Sequence, residues 1–331
     1  MALPEERIKE FVRIFRSIEE EVSRVIVGQR TIVRKMLTSF FAGGHVLLEG
    51  APGLGKTLMV KTFSNALGLN FKRIQFTPDL MPSDIIGTQI LSDGMGERHF
   101  EFKYGPIFAH IVLADEVNRA TPKTQSALLE AMEEQQVSVF GETYRLESPF
   151  FVLATQNPIE IEGTYPLPEA QLDRFLFKLL VQPPNAVELT EILARTTSES
   201  RYQAKPILPP NQARSIVEDM KALVRQVILA PPIGAYIAQV IAAATPGAEQ
   251  ARDEVSQYFR YGPGPRGAQA LTLGAKVNAL LDGRANVSFE DIVDVALPAL
   301  RHRCLLNFQA EAENINADYI LMNLLKTVSK R

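Results

Sequence analysis

Hydrophobic residues recur at every third or fourth position near the start of the chain, with charged residues between them. This spacing predicts an amphipathic helix over residues 5–26. A second helix is predicted over residues 31–42, because Gly43 and Gly44 then end the pattern. The apolar positions of the first helix are Ile8, Phe11, Phe15, Ile18, Val22 and Val25.

Short apolar runs alternate with helical stretches between residues 45 and 181. The runs lack the alternation that is typical of a strand with one exposed face. We therefore expect strands buried on both faces, in a parallel sheet wrapped by helices. The runs are His45–Glu49, Phe71–Phe76, Ile111–Ala114, Phe150–Ala154 and Phe175–Val181.

Two stretches interrupt this order and are predicted to be inserted hairpins, because alternating residues flank a turn signal in each. One spans residues 88–102 around Ser92-Asp93-Gly94, and the other spans residues 136–146 with a turn near Gly141-Glu142. From the pattern alone, each hairpin is either a decoration of the sheet edge or an element that contacts a partner.

The chain changes character after Gln182-Pro183-Pro184, where helical patterns broken by Pro and Gly replace the strand-like runs. We place a domain boundary there, which gives one domain over residues 1–182 and an all-helical domain over residues 183–331. Ser288 and Asp291 have the spacing of a capping box at the start of one helix. The helices predicted in the second domain cover residues 186–197, 211–229, 233–244, 266–281, 289–306 and 317–328.

The composition is that of a folded, water-soluble protein. The 331 residues are 46% hydrophobic and 22% charged, and the net charge of -3 gives no global attraction to nucleic acid or to an anionic membrane. Cys304 is the only cysteine, which excludes an internal disulfide and the usual multi-cysteine zinc sites. The acidic start lacks a signal-peptide pattern, and Pro231, Pro232 and Gly234 split the apolar run over residues 227–248. We expect a cytoplasmic protein without a membrane span.

A glycine-rich segment lies between the first apolar run and the helical pattern that follows it. Small residues let the backbone curl so that successive N–H groups point at a phosphate, and the following helix adds the positive end of its dipole. Lys56 would reach the β- and γ-phosphates, and the Thr57 hydroxyl would bind Mg2+. The segment therefore predicts a phosphate-binding loop. Its residues are Gly50, Ala51, Pro52, Gly53, Leu54, Gly55, Lys56 and Thr57, and the predicted nucleotide site extends to Leu58.

Polar residues end two of the other apolar runs, at the edge where ligands bind in open parallel sheets. Asp115 would hold Mg2+ through water, and Glu116 would polarise the water that attacks the γ-phosphate. Asn157 follows the fourth run and would help to position that water. Alone, each has a simpler explanation, a solvated strand end or a turn before Pro158. Together with the phosphate-binding loop they favour nucleotide hydrolysis.

These motifs, in their order along nearly the whole chain, resemble those of AAA+ ATPases, and further strings resemble the MoxR group. The resemblance implies a P-loop AAA+ core with a five-stranded parallel sheet in the order 5-1-4-3-2, followed by an all-α lid domain. It indicates the helix-2-insert group, which includes magnesium chelatase ATPase subunits and MCM proteins. In related rings, the hairpins that correspond to the two predicted here face the central pore. The MoxR-like strings cover residues 78–84 (PDLMPSD), 114–120 (ADEVNRA), 122–132 (PKTQSALLEAM), 154–158 (ATQNP) and 163–175 (GTYPLPEAQLDRF).

The resemblance also assigns roles to residues outside the loop. Arg174 is similar to the arginine finger, which reaches into the neighbouring subunit's site, and Arg266 resembles the second sensor, which touches the γ-phosphate from within the same chain. The segment Val27-Gly28-Gln29 resembles the one that backs the adenine, and Arg119 is a further candidate for the subunit interface. The Arg266 string over residues 262–267 (GPGPRG) departs from the family pattern, which more often has Ser before Pro-Arg.

The expected function is that of a Mg2+-dependent ATPase that forms a homo-oligomeric ring, most simply a hexamer, and remodels a protein partner. The resemblance implies a chaperone-like role in activation or metal loading, often beside a partner with a von Willebrand A-type domain. ATP and Mg2+ are the expected cofactors. Two alternatives are a nucleic-acid motor, against which the balanced charges of the first hairpin argue, and a scaffold that binds ATP without hydrolysis, against which Glu116 and Arg174 argue.

Overall fold

The structure, a computed structural model, describes residues 3–94, 97–158, 163–197 and 202–328. Its helices are α1 (Glu5–Val25), α2 (Arg30–Ala42), α3 (Lys56–Leu67), α4 (Pro82–Ile86), α5 (Pro122–Glu134), α6 (Glu169–Leu172), α7 (Ala186–Thr196), α8 (Ala213–Gln226), α9 (Pro231–Ala243), α10 (Asp253–Tyr258), α11 (Pro265–Leu281), α12 (Phe289–Leu300), α13 (Phe308–Ala312) and α14 (Ala317–Thr327). Its strands are β1 (His45–Glu49), β2 (Phe71–Gln75), β3 (Gly87–Gly94), β4 (Glu97–Tyr104), β5 (Ile111–Asp115), β6 (Gln136–Val139), β7 (Glu142–Arg145), β8 (Phe151–Gln156), β9 (Phe175–Leu180), β10 (Phe259–Tyr261) and β11 (Leu305–Leu306).

One parallel sheet has the strand order β2-β5-β8-β1-β9. Numbered along these strands alone, the order is 5-1-4-3-2, so the predicted sheet is confirmed. The central strands β1, β5 and β8 are almost entirely buried, as expected where helices cover both faces. Their carboxyl ends meet at one edge of the sheet, the carboxyl edge, and their starts lie at the opposite amino edge.

Strand β2 differs from the prediction of a strand buried on both faces. Among the described strands it pairs with β5 alone, at the margin of the sheet. Lys72 and Arg73 are exposed, and only Ile74 of this strand is fully buried. The marginal position leaves room for polar side chains beside the carboxyl edge.

Two antiparallel hairpins, β3–β4 and β6–β7, lie outside this sheet. They contact each other through stacked rings, because the centroids of Phe102 and Tyr144 are 4.0 Å apart with an interplanar angle of 18°. Residues 92–94 pair with residues 97–99 in the first hairpin, so the turn predicted at 92–94 is wrong. Residues 95 and 96 lie outside the described part of the chain.

The helices after β9 pack directly against the first part of the chain. Helix α11 contacts α1, α2 and α8. Gly274 of α11 lies so close to β9 that a Cβ there would be 2.7 Å from the Phe177 ring. One hydrophobic core therefore runs from α1 and α2 through β9 into these helices. Ser288 and Asp291 form the predicted capping box of α12.

Helix α12 ends at Leu300, earlier than predicted, and Leu305 and Leu306 form a strand instead. This strand pairs antiparallel with β10, so the prediction that no strand follows residue 184 is also wrong. The buried Arg303 explains the helix end. Its guanidinium donates hydrogen bonds to the Ala299 carbonyl in the last turn of α12 and, at 3.2 Å, to the Leu176 carbonyl of β9. The first bond satisfies the Ala299 carbonyl, which a continuing helix would have used, and the second ties the helix end to β9.

His45 is a buried, neutral link at the amino edge of the sheet. Its Nδ1 accepts the Val152 N–H at 3.0 Å, so its Nε2 donates to the Met132 carbonyl at 3.2 Å. Burial lowers the pKa of His45 to about 4. The folded protein therefore keeps this ring uncharged at a pH where the unfolded chain has taken up a proton.

We expect this histidine to lower the free energy of unfolding as the pH falls. The contribution is complete above the unfolded pKa of about 6.5 and is lost as the pH falls towards 4, which amounts to ~3 kcal/mol. Urea unfolding of His45→Gln should show a shallower loss of stability between pH 6.5 and pH 4 than the parent. His302 is also buried with a lowered pKa, so part of the slope should remain. Equal slopes in parent and variant would contradict the role given to His45.

Candidate nucleotide-binding and hydrolysis site

The glycine-rich segment joins β1 to α3 at the carboxyl edge of the sheet. Gly53 and Gly55 have φ angles of 82° and 76°, in the left-handed region that other residues enter only with strain. Gly50 is needed for space, because a Cβ there would lie 2.9 Å from the Val181 carbonyl oxygen. The loop ends at the amino terminus of α3, where free N–H groups and the helix dipole attract anions.

Lys56 and Thr57 open the first turn of α3. The Lys56 side chain is buried in the loop, and its Nζ donates to the Gly50 carbonyl at 2.6 Å. Burial lowers the pKa of this ammonium group, while Asp115 and Glu116 oppose that shift. The Thr57 hydroxyl donates to Asp115 Oδ2 at 3.2 Å. The loop and the acidic strand end are therefore in direct contact.

A single threonine on β8 fixes both acidic residues. The Thr155 hydroxyl donates to Asp115 Oδ1 at 2.6 Å and accepts the Glu116 N–H at 2.8 Å. Glu116 has a φ of 57°, a strained conformation for this residue type that directs consecutive carboxylates differently. The two carboxylates are thus held at the carboxyl edge in different directions.

Two residues of β2, which the sequence interpretation missed, hold these carboxylates from the other side. Arg73 donates to Asp115 Oδ2 from Nε at 2.9 Å and from Nη2 at 2.7 Å. Gln75 Nε2 donates to Glu116 Oε2 at 2.8 Å. Alternate residues share a face of a strand, so Arg73 and Gln75 around the buried Ile74 were the available signal.

Arg119 also contacts the acid pair of its own chain. Its Nη1 donates to Glu116 Oε2 at 3.0 Å, and its side chain is 43% exposed. Asn157, directly after β8, is buried, and its carbonyl accepts a hydrogen bond from Asn118 at 3.4 Å. The parallel pairing of β5 and β8 brings Asn157 and Glu116 to the same edge of the sheet.

The donor set fits Mg2+. A carboxylate and a hydroxyl, from Asp115 and Thr57, already lie within hydrogen-bond distance of each other, and Mg2+ is held in proteins by one or two such oxygens together with phosphate and water. The described residues contain no cluster of three or more His, Cys, Asp or Glu side chains that could hold a metal by itself.

A cavity lies beside α3, and a second cavity adjoins it near the end of α1. One of about 760 Å³ is lined by Leu58, and the other of about 480 Å³ is lined by Val27 and Gly28. Arg24 and Arg195 line both cavities. Space for a nucleotide base therefore exists next to the residues predicted to bind it.

The segment Val27-Gly28-Gln29 is held by the chain that follows β9. Gln29 Nε2 donates to the Gln182 carbonyl at 2.9 Å. Gly28 has a φ of 75°, and a Cβ there would lie 2.4 Å from the Glu188 carboxyl carbon. The positive φ, rather than this contact, favours glycine here, because the Glu188 side chain could move away from an added Cβ.

Arg174 and Arg266 lie at the amino edge of the sheet, away from their own phosphate-binding loop. Arg174 directly precedes β9, whose first residue pairs with His45 at the start of β1, whereas the loop follows the end of β1. The length of β1 separates the two places by about 16 Å. The prediction that Arg266 touches the γ-phosphate of its own chain is therefore corrected. Packing of α11 on α2 and β9 carries Arg266 to the other end of the sheet.

The two arginines meet on one carboxylate. Arg174 Nη2 is 2.9 Å from Glu133 Oε2, and Arg266 pairs with Glu133 Oε1. Arg174 Nη1 also donates to the Leu129 carbonyl at 2.6 Å. The structure thus brings together Lys56, Thr57, Asp115, Glu116 and Asn157 at one edge, and Arg174 and Arg266 at the other.

A 5-1-4-3-2 parallel sheet with a phosphate-binding loop and an acid pair at its carboxyl edge defines a P-loop ATPase of the AAA type. Comparison with known families agrees with this class. The model of the ATPase family associated with various cellular activities (AAA) matches residues 45–177, and the AAA lid domain model matches residues 251–323.

The chain belongs to the MoxR family of AAA+ ATPases. It is 43% identical over 314 residues to Chaperone MoxR1 of Mycobacterium tuberculosis, covering 93% of this chain and 80% of that protein. It is 31% identical to Protein MoxR of Paracoccus denitrificans, covering 88% and 89%. A crystal structure of a candidate ATPase from Cytophaga hutchinsonii has a TM-score of 0.90 and 41% identity, over 98% of this chain and 97% of the other.

Proposed function

We propose that the protein is a Mg2+-dependent ATP hydrolase that works as a ring, with a hexamer as the simplest form, and remodels a protein partner. The observation that carries this proposal is the separation of the two halves of the site. Lys56 and Glu116 lie at the carboxyl edge of the sheet, whereas Arg174 and Arg266 lie at the amino edge. A second copy of the chain is needed to supply the arginines to a bound nucleotide.

The roles proposed within one subunit follow from the contacts at the carboxyl edge. Lys56 would exchange its bond to Gly50 for the phosphates, and Thr57 and Asp115 would hold Mg2+, which shields phosphate charge when bound. Glu116, held by Gln75 and Arg119, would accept a hydrogen bond from the attacking water and polarise it. Asn157 would help to orient the same water.

The roles proposed between subunits concern the charge that develops during hydrolysis. Arg174 and Arg266 would approach the γ-phosphate of the adjacent subunit and stabilise the charge that spreads over its oxygens. We extend the predicted finger role to both arginines, because both occupy the same place at the amino edge.

The proposed partner is a protein. One relative is named a chaperone, and the family resemblance suggests a client with a von Willebrand A-type domain that is activated or loaded with metal. A nucleic-acid motor is not favoured. Among the described residues, no helix combines the length and the hydrophobicity of a membrane span. From the single cysteine and the chaperone name of one relative, we propose the cytoplasm as the place of action.

Substitution of Lys56 tests the nucleotide site. Lys56→Ala should show no detectable ATP binding in calorimetry, because the loop would lack its only cation. In analytical ultracentrifugation, the variant should also fail to form rings when ATP is present. Lys326→Ala, at an exposed position in the last turn of α14, is the matched control and should behave as the parent. ATP binding by Lys56→Ala with parental affinity would contradict the assignment of the loop.

A further inference from the structure

Glu133 is the carboxylate on which the two remote arginines converge. Arg174 and Arg266 each bind a different oxygen of this group. The side chains of Glu133, Arg174 and Arg266 are 37%, 28% and 42% exposed, so all three reach the surface at which a second copy would dock. We call these three residues the arginine cluster.

Electrostatics favours a carboxylate shared by the two arginines, and Asp173 Oδ2 adds a second negative charge 3.8 Å from Arg266 Nε. Two guanidinium groups repel each other at short range, and an anion between them reverses the sign of the local interaction. Exposed ion pairs contribute little to stability individually, so the cluster is poorly explained as a device that holds the fold together. It does fix where two cations point before an external phosphate arrives.

The cluster is also tied to the far end of α5. This helix starts at Pro122, just after Glu116, and Glu133 is in its last turn. The Leu129 carbonyl of the same helix accepts a second bond from Arg174. At 1.5 Å per residue, α5 spans about 18 Å. It therefore joins the hydrolytic carboxylate of its own site to the arginines that would serve the next site.

We propose that Glu133 is a positioning residue for Arg174 and Arg266. It holds both guanidinium groups in the orientation in which they act on the nucleotide of the adjacent subunit. This inference rests on the proposed function, in which the arginines act between subunits. Glu133 itself does not touch the nucleotide. Its carboxylate orients each arginine through one N–H group and leaves other N–H groups of the guanidinium available to phosphate oxygens.

Glu133→Gln tests the proposal at constant side-chain size. Because an amide lacks the charge that balances two arginines, we expect a fall in kcat of about 10-fold. Affinity for ATP at the variant's own loop should change less than about 2-fold, since Lys56 is at the other edge. Glu134→Gln, at the next exposed position on α5, is the control and should keep the parental kcat. In a background that lacks both arginines (Arg174→Ala with Arg266→Ala), Glu133→Gln should add little further loss, because both positioned groups are gone.

Rings that mix two variants test whether Glu133 acts on the adjacent subunit's site or only on the site of its own subunit. Glu133→Gln subunits have intact hydrolytic residues, and Glu116→Gln subunits have intact arginine clusters. At some interfaces of a mixed ring, the hydrolytic residues of a Glu133→Gln subunit face the arginine cluster of a Glu116→Gln subunit. Both halves of that site are intact. Single-turnover hydrolysis by the mixture should therefore exceed that of either variant alone, with mixed assembly checked by native mass spectrometry. A mixture of Arg174→Ala with Glu116→Gln is run in parallel as the reference for action between subunits.

The outcomes distinguish this inference from the function on which it rests. If the Arg174→Ala mixture recovers and the Glu133→Gln mixture does not, Glu133 acts on its own site and the proposal is overturned. A Glu133→Gln enzyme with parental kcat would also overturn it. If mixed rings form and the Arg174→Ala mixture stays inactive, action between subunits fails and the proposed function fails with it. Recovery in both mixtures supports the positioning role.

Discussion

Glu116→Gln is expected to bind ATP with parental affinity and to hydrolyse it about 100-fold or more slowly than the parent. The amide has the size of the carboxylate, and its oxygen can still accept the hydrogen bonds from Gln75 and Arg119. The backbone bond from the Glu116 N–H to Thr155 is also unchanged. The variant therefore keeps the geometry of the site and loses only the negative charge that polarises the attacking water.

Phosphate release and equilibrium nucleotide binding measure the two halves of this expectation separately. Glu130→Gln, an exposed position on α5, is the matched charge-loss control and should hydrolyse ATP at the parental rate. Removal of free Mg2+ with EDTA should abolish turnover in the parent enzyme. A Glu116→Gln protein that hydrolyses ATP as fast as the parent would exclude Glu116 as the group that activates water.

The sequence predicted the sheet and the loop well because their signals are local. A buried run followed by a glycine-rich turn and a helical pattern is contained within residues 45–67, and each of its parts limits the conformation of the next. The acidic residues at the end of β5 are found in the same way. Their position opposite Thr57 then follows from the strand order.

Arg73 and Gln75 were missed because their role depends on which strand lies at the margin. The run over residues 71–76 resembles a buried strand in the sequence, since Phe71, Ile74 and Phe76 are apolar. Only pairing with β5 brings its polar residues to Asp115 and Glu116. Strand order is a property of long-range packing that no window of sequence contains.

The same limit explains the errors in the second half of the chain. Leu305 and Leu306 continue an apolar pattern that favours a helix, but their partner strand begins at Phe259, far away in sequence. Arg266 was predicted at its own nucleotide from a motif alone. The edge that it reaches depends on how α11 packs on several distant elements, and Gly274 permits the close approach of α11 to Phe177.

Arg174→Ala is expected to bind ATP with nearly parental affinity and to hydrolyse it about 10³-fold more slowly. Affinity should persist because Arg174 lies at the amino edge, remote from its own loop. Turnover should fall because the neighbouring site loses a cation that opposes the charge developing on the γ-phosphate. Specific activity of the parent should rise steeply with protein concentration as rings assemble, and the variant should show little of that rise.

Arg266→Ala distinguishes the corrected placement from the original prediction. If Arg266 acted within its own chain, the Arg266→Ala monomer, held at low concentration, would lose its preference for ATP over ADP. An arginine that acts between subunits leaves that preference unchanged in the monomer and weakens ATP-driven assembly and turnover. We expect the second pattern, because Arg266 shares Glu133 with Arg174. Calorimetry on dilute monomers with each nucleotide measures the difference directly. Loss of the ATP preference there would mean that α11 moves to its own loop on nucleotide binding.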